Sequence, residues 1–95
     1  IERLIATGGG ARSEYWLAAI ATALDLPVLV PAAGDFGAAF GAARLALMAA
    51  TGAGAEIATT PPIARTIDPD PALTAAFDTG HARHRAARDA IRSLT

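Results

Sequence analysis

Leu4-Ile5-Ala6-Thr7-Gly8-Gly9-Gly10-Ala11-Arg12-Ser13 decides the fold. A short apolar run that ends in glycine reads as a buried strand feeding a tight turn. Ser13 stands where a helix begins, and its hydroxyl can accept from an N–H of the first turn. Beyond it, Trp16, Leu17, Ile20 and Leu24 recur at helical spacing and predict one apolar stripe laid against a sheet. Pro27 closes that helix. Val28-Leu29-Val30 then gives a second short strand, stopped by Pro31.

Working outward, Asp35 is an N-cap for a second helix over about 36–50, which Gly52 and Gly54 end. Gly37, Ala38, Ala39, Gly41, Ala42 and Ala43 put almost no bulk on its first half, so a close backbone approach is expected there, with Gly37 and Gly41 letting the helix pack closely. Residues 51–71 read as a loop, with four prolines between Thr59 and Pro71. Asp70-Pro71 offers a cap and a first-turn proline for a last helix over 72–95. Phe77, His84 and Ile91 repeat at seven-residue spacing on that helix. Strand, helix, strand, helix with short connections implies an α/β unit with a parallel crossover. Two short strands do not make a sheet that stands alone, so the fold is expected to be incomplete by itself.

Composition narrows the function. The chain has 95 residues, a formal net charge of −1 and 18% charged residues, which gives no electrostatic case for nucleic acid or an anionic membrane. It has no cysteine, so neither a disulfide nor a thiolate metal site can brace so short a chain. Hydrophobic residues reach 53%, many of them alanine. The longest apolar stretch, 36–43, is stopped by Arg44, far short of a membrane span. No basic segment precedes an apolar run in the manner of a signal peptide, and a cytoplasmic location is the expectation. The chain starts in strand-like sequence without an initiator Met, which leads us to expect a piece of a longer protein.

The glycine turn carries the chemistry. Between a strand and a helix, glycines let a ligand lie against main-chain N–H groups, and the helix N-terminus favours an anion. A phosphate or nucleotide site and a plain structural turn are both compatible with these residues. A P-loop is excluded because the segment lacks Gly-Lys-Ser/Thr. A dinucleotide fingerprint is excluded because Ser13 stands where glycine or alanine is required, and Val30-Pro31 replaces the acidic residue that should end the next strand. His81 and His84 are three apart on a helix, but no third ligand is near in sequence, so no metal site is read there. Trp16 is read as core, and Arg44 as half of a surface ion pair.

Gly8-Gly9-Gly10-Ala11-Arg12-Ser13-Glu14-Tyr15-Trp16, followed by Gly34-Asp35-Phe36-Gly37-Ala38-Ala39-Phe40-Gly41-Ala42-Ala43-Arg44-Leu45-Ala46, resembles the C-terminal region of the xylulokinases. These are FGGY carbohydrate kinases, which share the duplicated ribonuclease-H-like ATPase core of actin and hexokinase. The resemblance runs from about residue 5 to the end. It implies that residues 1–95 are the C-terminal part of the nucleotide-binding domain: a βαβα unit over about 1–50, the loop 51–71 and the helix 72–95. It further implies that ATP or ADP lies against Gly8, Gly9 and Gly10. Ala11 and Arg12 would border the nucleotide, and Glu14 would sit where relatives present a polar side chain to adenine. Arg12 also fits a solvated helix-terminal charge. The catalytic base, the Mg2+ environment and the sugar pocket are implied to lie upstream, in the remainder of the same chain. The implied reaction transfers the ATP γ-phosphate to D-xylulose, and a homodimer is compatible with it. Another FGGY sugar or polyol kinase, and a non-catalytic helical packing module, are the competing readings.

Overall fold

A computed structural model describes residues 1–32 and 37–95. Strand β1 (Leu4–Ile5) runs through Thr7 and Gly8 into a 3-10 turn, Gly9–Arg12. Helix α1 (Glu14–Leu24), strand β2 (Val28–Pro31) and helix α2 (Gly37–Thr51) follow. A second 3-10 turn (Ala55–Ile57), strand β3 (Ile63–Ile67) and helix α3 (Thr74–Arg92) complete the order.

The sheet has the order β1-β2-β3. β1 pairs with β2 in parallel, with Leu4 opposite Val28 and Ile5 opposite Leu29. This is the α/β crossover expected from the sequence. β3 corrects the expectation of a loop over 51–71: it pairs antiparallel to β2, with Val28 opposite Ile67 and Val30 opposite Arg65. The prolines flank this strand rather than interrupt it. Five proline-free residues remain between them, Ile63-Ala64-Arg65-Thr66-Ile67, which is enough for a ladder. Pro31 has no N–H to give, and it stands at the end of β2 where the register to β3 shifts between Val30 and Pro31.

One face of this sheet carries the core. Leu17 and Ala21 of α1 pack on Val28 and Val30, with Leu4, Ala6, Ile20 and Ile67 around them. Ala21 has no exposed surface, and Leu17 and Val28 have almost none. The buried stripe of α1 is therefore Leu17-Ala21. Trp16 is more than half exposed at 56%, against the expectation that it is core, and Leu24 is equally exposed. At 100° per residue, Trp16 falls to the side of a stripe centred on 17 and 21.

The helix ends follow local rules. Ser13 accepts from the Trp16 N–H at 3.2 Å, the cap expected of it. At the other end Asp25 adopts a left-handed conformation (φ 52°, ψ 43°). The Leu26 N–H reaches Ala21 O at 3.1 Å and the Asp25 N–H reaches Thr22 O at 3.4 Å, a Schellman closure with Pro27 just beyond. Thr22, buried in α1, donates to Ala18 O at 2.8 Å and accepts from the Asp70 N–H at 3.0 Å, tying α1 to the turn before α3. Asp70 does not cap α3 directly. Its carboxylate accepts from Ala72 N at 2.9 Å, its carbonyl from Leu73 N at 3.1 Å, and α3 starts later, at Thr74.

α2 and α3 bury no residue within this chain. Phe40, Leu45 and Leu47 of α2 are 47–68% exposed. The radius of gyration is 18.0 Å, against about 12 Å for a compact domain of this length. The helices thus do not close around one core. Gly52, at φ 71°, ends α2 with its N–H on Met48 O at 2.9 Å. The proposed cap Asp35 lies outside the described residues. Among the described residues Arg44 pairs with no carboxylate; it lies 4.0 Å over the Phe40 ring and donates to Thr59 at 3.2 Å.

Among the described residues, close approach on α2 occurs at Gly37. A Cβ on Gly37 would stand 2.8 Å from the Thr7 Cβ, whereas one on Gly41 would meet nothing within 4 Å. Gly37→Ala is expected to destabilise by about 1–3 kcal/mol through overpacking. Gly41→Ala is expected to stabilise by up to about 1 kcal/mol through helix propensity. Urea unfolding of the two variants checks the pair, and equal midpoints would remove the contact between Thr7 and α2.

Candidate functional site

Gly8, Gly9 and Gly10 have separate structural duties. Gly8 lies at φ 84° and ψ −176°, a region that side chains other than hydrogen rarely enter. It is therefore the residue that turns the chain out of β1. Gly9 and Gly10 are not in this class. A Cβ on Gly9 would meet nothing within 4 Å, and one on Gly10 only Trp16 Cδ1 at 4.0 Å. Both are exposed. Among the described residues nothing demands glycine at either position.

The 3-10 turn closes with Ala11 N on Gly8 O and Ser13 N on Gly10 O, both at 3.1 Å. In such a turn the first N–H groups lack in-turn partners, so those of Gly9 and Gly10 belong to its open end. Ala11 is buried at 7% exposure and gives its N–H to the turn, so it holds the turn from inside. Arg12 ends the turn and is exposed. Exposed Glu14 opens α1, where its charge suits the helix dipole. The structure thus brings all six residues singled out in the sequence onto one ledge between β1 and α1.

Sequence reasoning missed Arg65. From β3 its Nη1 donates to Glu14 Oε2 at 3.4 Å. The side chains are 42% and 75% exposed, so a pair of this kind adds about 0–1 kcal/mol to stability at most. The β-branched residues Ile63, Thr66 and Ile67 in a proline-free run were the signal that could have revealed it, since a strand there puts Arg65 on the same face as core-packed Ile67.

Two concavities lie elsewhere, between α1 and α3. One of about 480 Å³ is lined by Leu24, Phe77, Gly80, His81 and His84, among others. A smaller one of about 150 Å³ lies beside Tyr15, Thr22 and Phe77. Neither includes the glycine turn. Among the described residues no three of His, Cys, Asp and Glu gather in a way that could hold a metal ion. No described helix is long and apolar enough to cross a membrane.

A glycine turn at the head of a crossover helix is a place where an anion can meet main-chain N–H groups. The model of the FGGY family of carbohydrate kinases, C-terminal domain, matches residues 1–50. The chain belongs to that family. A solved structure described as a xyloylose kinase from Brucella ovis is similar over all of this chain, at 55% identity and a TM-score of 0.86. This chain covers 20% of that protein's length. No match occurs among curated proteins.

The two kinds of glycine separate in a stability measurement. Gly8→Ala is expected to cost about 1–3 kcal/mol, the strain of holding a side chain at that backbone angle. Gly9→Ala and Gly10→Ala are expected to stay within about 0.5 kcal/mol of the parent. Thermal melts of the three variants test this, and a Gly10→Ala loss equal to that of Gly8→Ala would make both glycines structural.

Proposed function

We propose that the full-length protein is an ATP-dependent kinase that transfers the γ-phosphate to D-xylulose, giving xylulose 5-phosphate. Residues 1–95 are its nucleotide-holding part, within a ribonuclease-H-like domain. The observation that carries this reading is the freedom of Gly9 and Gly10. The described residues leave room for side chains at both positions, and a ligand that approaches the backbone there is a reason for glycine that fits this space. Phosphate suits that ledge, because open N–H groups and the N-terminus of α1 face the same side of the charge balance. D-xylulose as the acceptor is supported by Arg12-Ser13 after the glycines, and by the description of the Brucella ovis structure.

In this reading Gly8 sets the turn, Ala11 and the Ser13 cap hold it, and Gly9 and Gly10 admit the α-phosphate and ribose. Arg12 borders the nucleotide and Glu14 meets the base. Among the described residues no three of His, Cys, Asp and Glu gather to hold a metal ion, and the Mg2+ that accompanies ATP is assigned to the remainder of the chain. The aspartate that takes the sugar hydroxyl proton and the sugar pocket are assigned there too. Such a transfer depends on positioning and charge stabilisation. This part supplies the positioning of the nucleotide. The exposed apolar residues of α2, Phe40, Leu45 and Leu47, fit a face that the remainder of the chain covers. The proposed location is cytoplasmic.

Gly10→Val in the full-length protein is expected to weaken ADP binding by about one to two decades for each phosphate-type hydrogen bond lost. D-xylulose binding without nucleotide, and the unfolding curve, are expected to change little. Paired calorimetric titrations decide it: a folded Gly10→Val variant that binds ADP normally removes the turn from the nucleotide site. Residues 1–95 alone are expected to phosphorylate no sugar, and xylulose phosphorylation by the purified piece would overturn the upstream assignment of catalysis.

A further inference from the structure

The pairing of β3 with β2 brings Arg65 to the first turn of α1, 51 residues away in sequence from Glu14. Arg65 stands opposite Val30, and its neighbour along the same face, Ile67, stands opposite Val28. Val28 and Val30 are core residues under α1, so Arg65 emerges on the α1 side of the sheet. The pair takes Glu14 Oε2 and leaves Oε1 to accept from a ligand. It is too exposed to matter for folding. Its physical effect is on freedom: a glutamate at a helix start has several rotamers, and a guanidinium on one oxygen selects among them.

We infer that Arg65 is a positioning residue for base recognition, holding the Glu14 carboxylate at the lip of the glycine turn so that it accepts from the exocyclic amino group of adenine. The inference rests on the nucleotide reading proposed above. A fixed carboxylate is only an acceptor, so it favours a 6-amino purine and disfavours a 6-oxo purine, whose oxygen would face it. A glutamine at position 14 can offer either end of its amide and loses that discrimination.

The test is the ratio of ADP to IDP affinity, measured by calorimetry on the full-length protein. Glu14→Gln is expected to lower the preference for ADP on the order of tenfold. Arg65→Gln is expected to lower it about two- to fivefold. The double variant should be no worse than Glu14→Gln alone, because Arg65 acts through Glu14. Arg65→Lys, which keeps the charge, should recover most of the preference. An unchanged ratio in Arg65→Gln would overturn the inference. So would an equal loss of ADP and IDP, which would mean that Arg65 acts on phosphate charge instead. If Gly10→Val abolishes ADP binding while neither Glu14→Gln nor Arg65→Gln shifts the ratio, the nucleotide site stands and the positioning role falls. If Gly10→Val binds ADP normally, the nucleotide reading falls and this inference with it.

Discussion

The seat of α1 on β2 governs the rest of the structure. Ala21 has no exposed surface, and Leu17 beside it rests on Val28 and Val30. A methyl at position 21 lets the helix axis come close to the strand, which is why the larger Leu17 can be fully covered. Burying a leucine in this way stabilises by about 1.5–3 kcal/mol. The helix so fixed places three other features. Its N-terminus orients the glycine ledge through Ser13, and its buried Thr22 anchors the turn before α3. Its stripe also gives Ile67 of β3 an apolar surface to meet.

Strain, space and charge are divided among neighbouring residues at the ledge. Positive φ is confined to Gly8, burial to Ala11 and openness to Gly9 and Gly10. A ligand can therefore be admitted without disturbing the residue that bends the chain. The ion pair of Arg65 with Glu14 joins β3, the strand farthest from β1, to α1. α2 stands apart from this arrangement. It touches the chain before the turn through Gly37 against Thr7 and leaves Phe40, Leu45 and Leu47 largely uncovered.

What the sequence revealed was local. The Ser13 cap, the β1-turn-α1-β2 succession and the end of α2 at Gly52 each depend on residues a few positions apart, and each is present. The family was legible too, since its two motifs are contiguous. Non-local facts were not legible. Trp16 shares helical spacing with Leu17 and Ile20, yet only the position of the sheet decides which flank of the stripe is covered. Gly37 and Gly41 look equivalent in a run of small residues, and only the path of Thr7 distinguishes them. β3 was concealed because Pro61, Pro62, Pro69 and Pro71 dominate its surroundings, and because its own five residues, Ile63-Ala64-Arg65-Thr66-Ile67, do not alternate apolar with polar. The bond between Arg65 and Glu14 required that strand to be placed first.

The division among the three glycines also bears on how sequences of this kind drift. Folding alone maintains glycine at position 8, because every other residue there is strained. At positions 9 and 10 the described residues leave room for a side chain, so in the proposed nucleotide reading it is selection on what the ledge holds that keeps them bare. A descendant released from that selection would keep its first glycine and its shape, while the second and third gave way to alanine or serine. Loss of function would then be written in two adjacent letters, well before the stability of the protein recorded it.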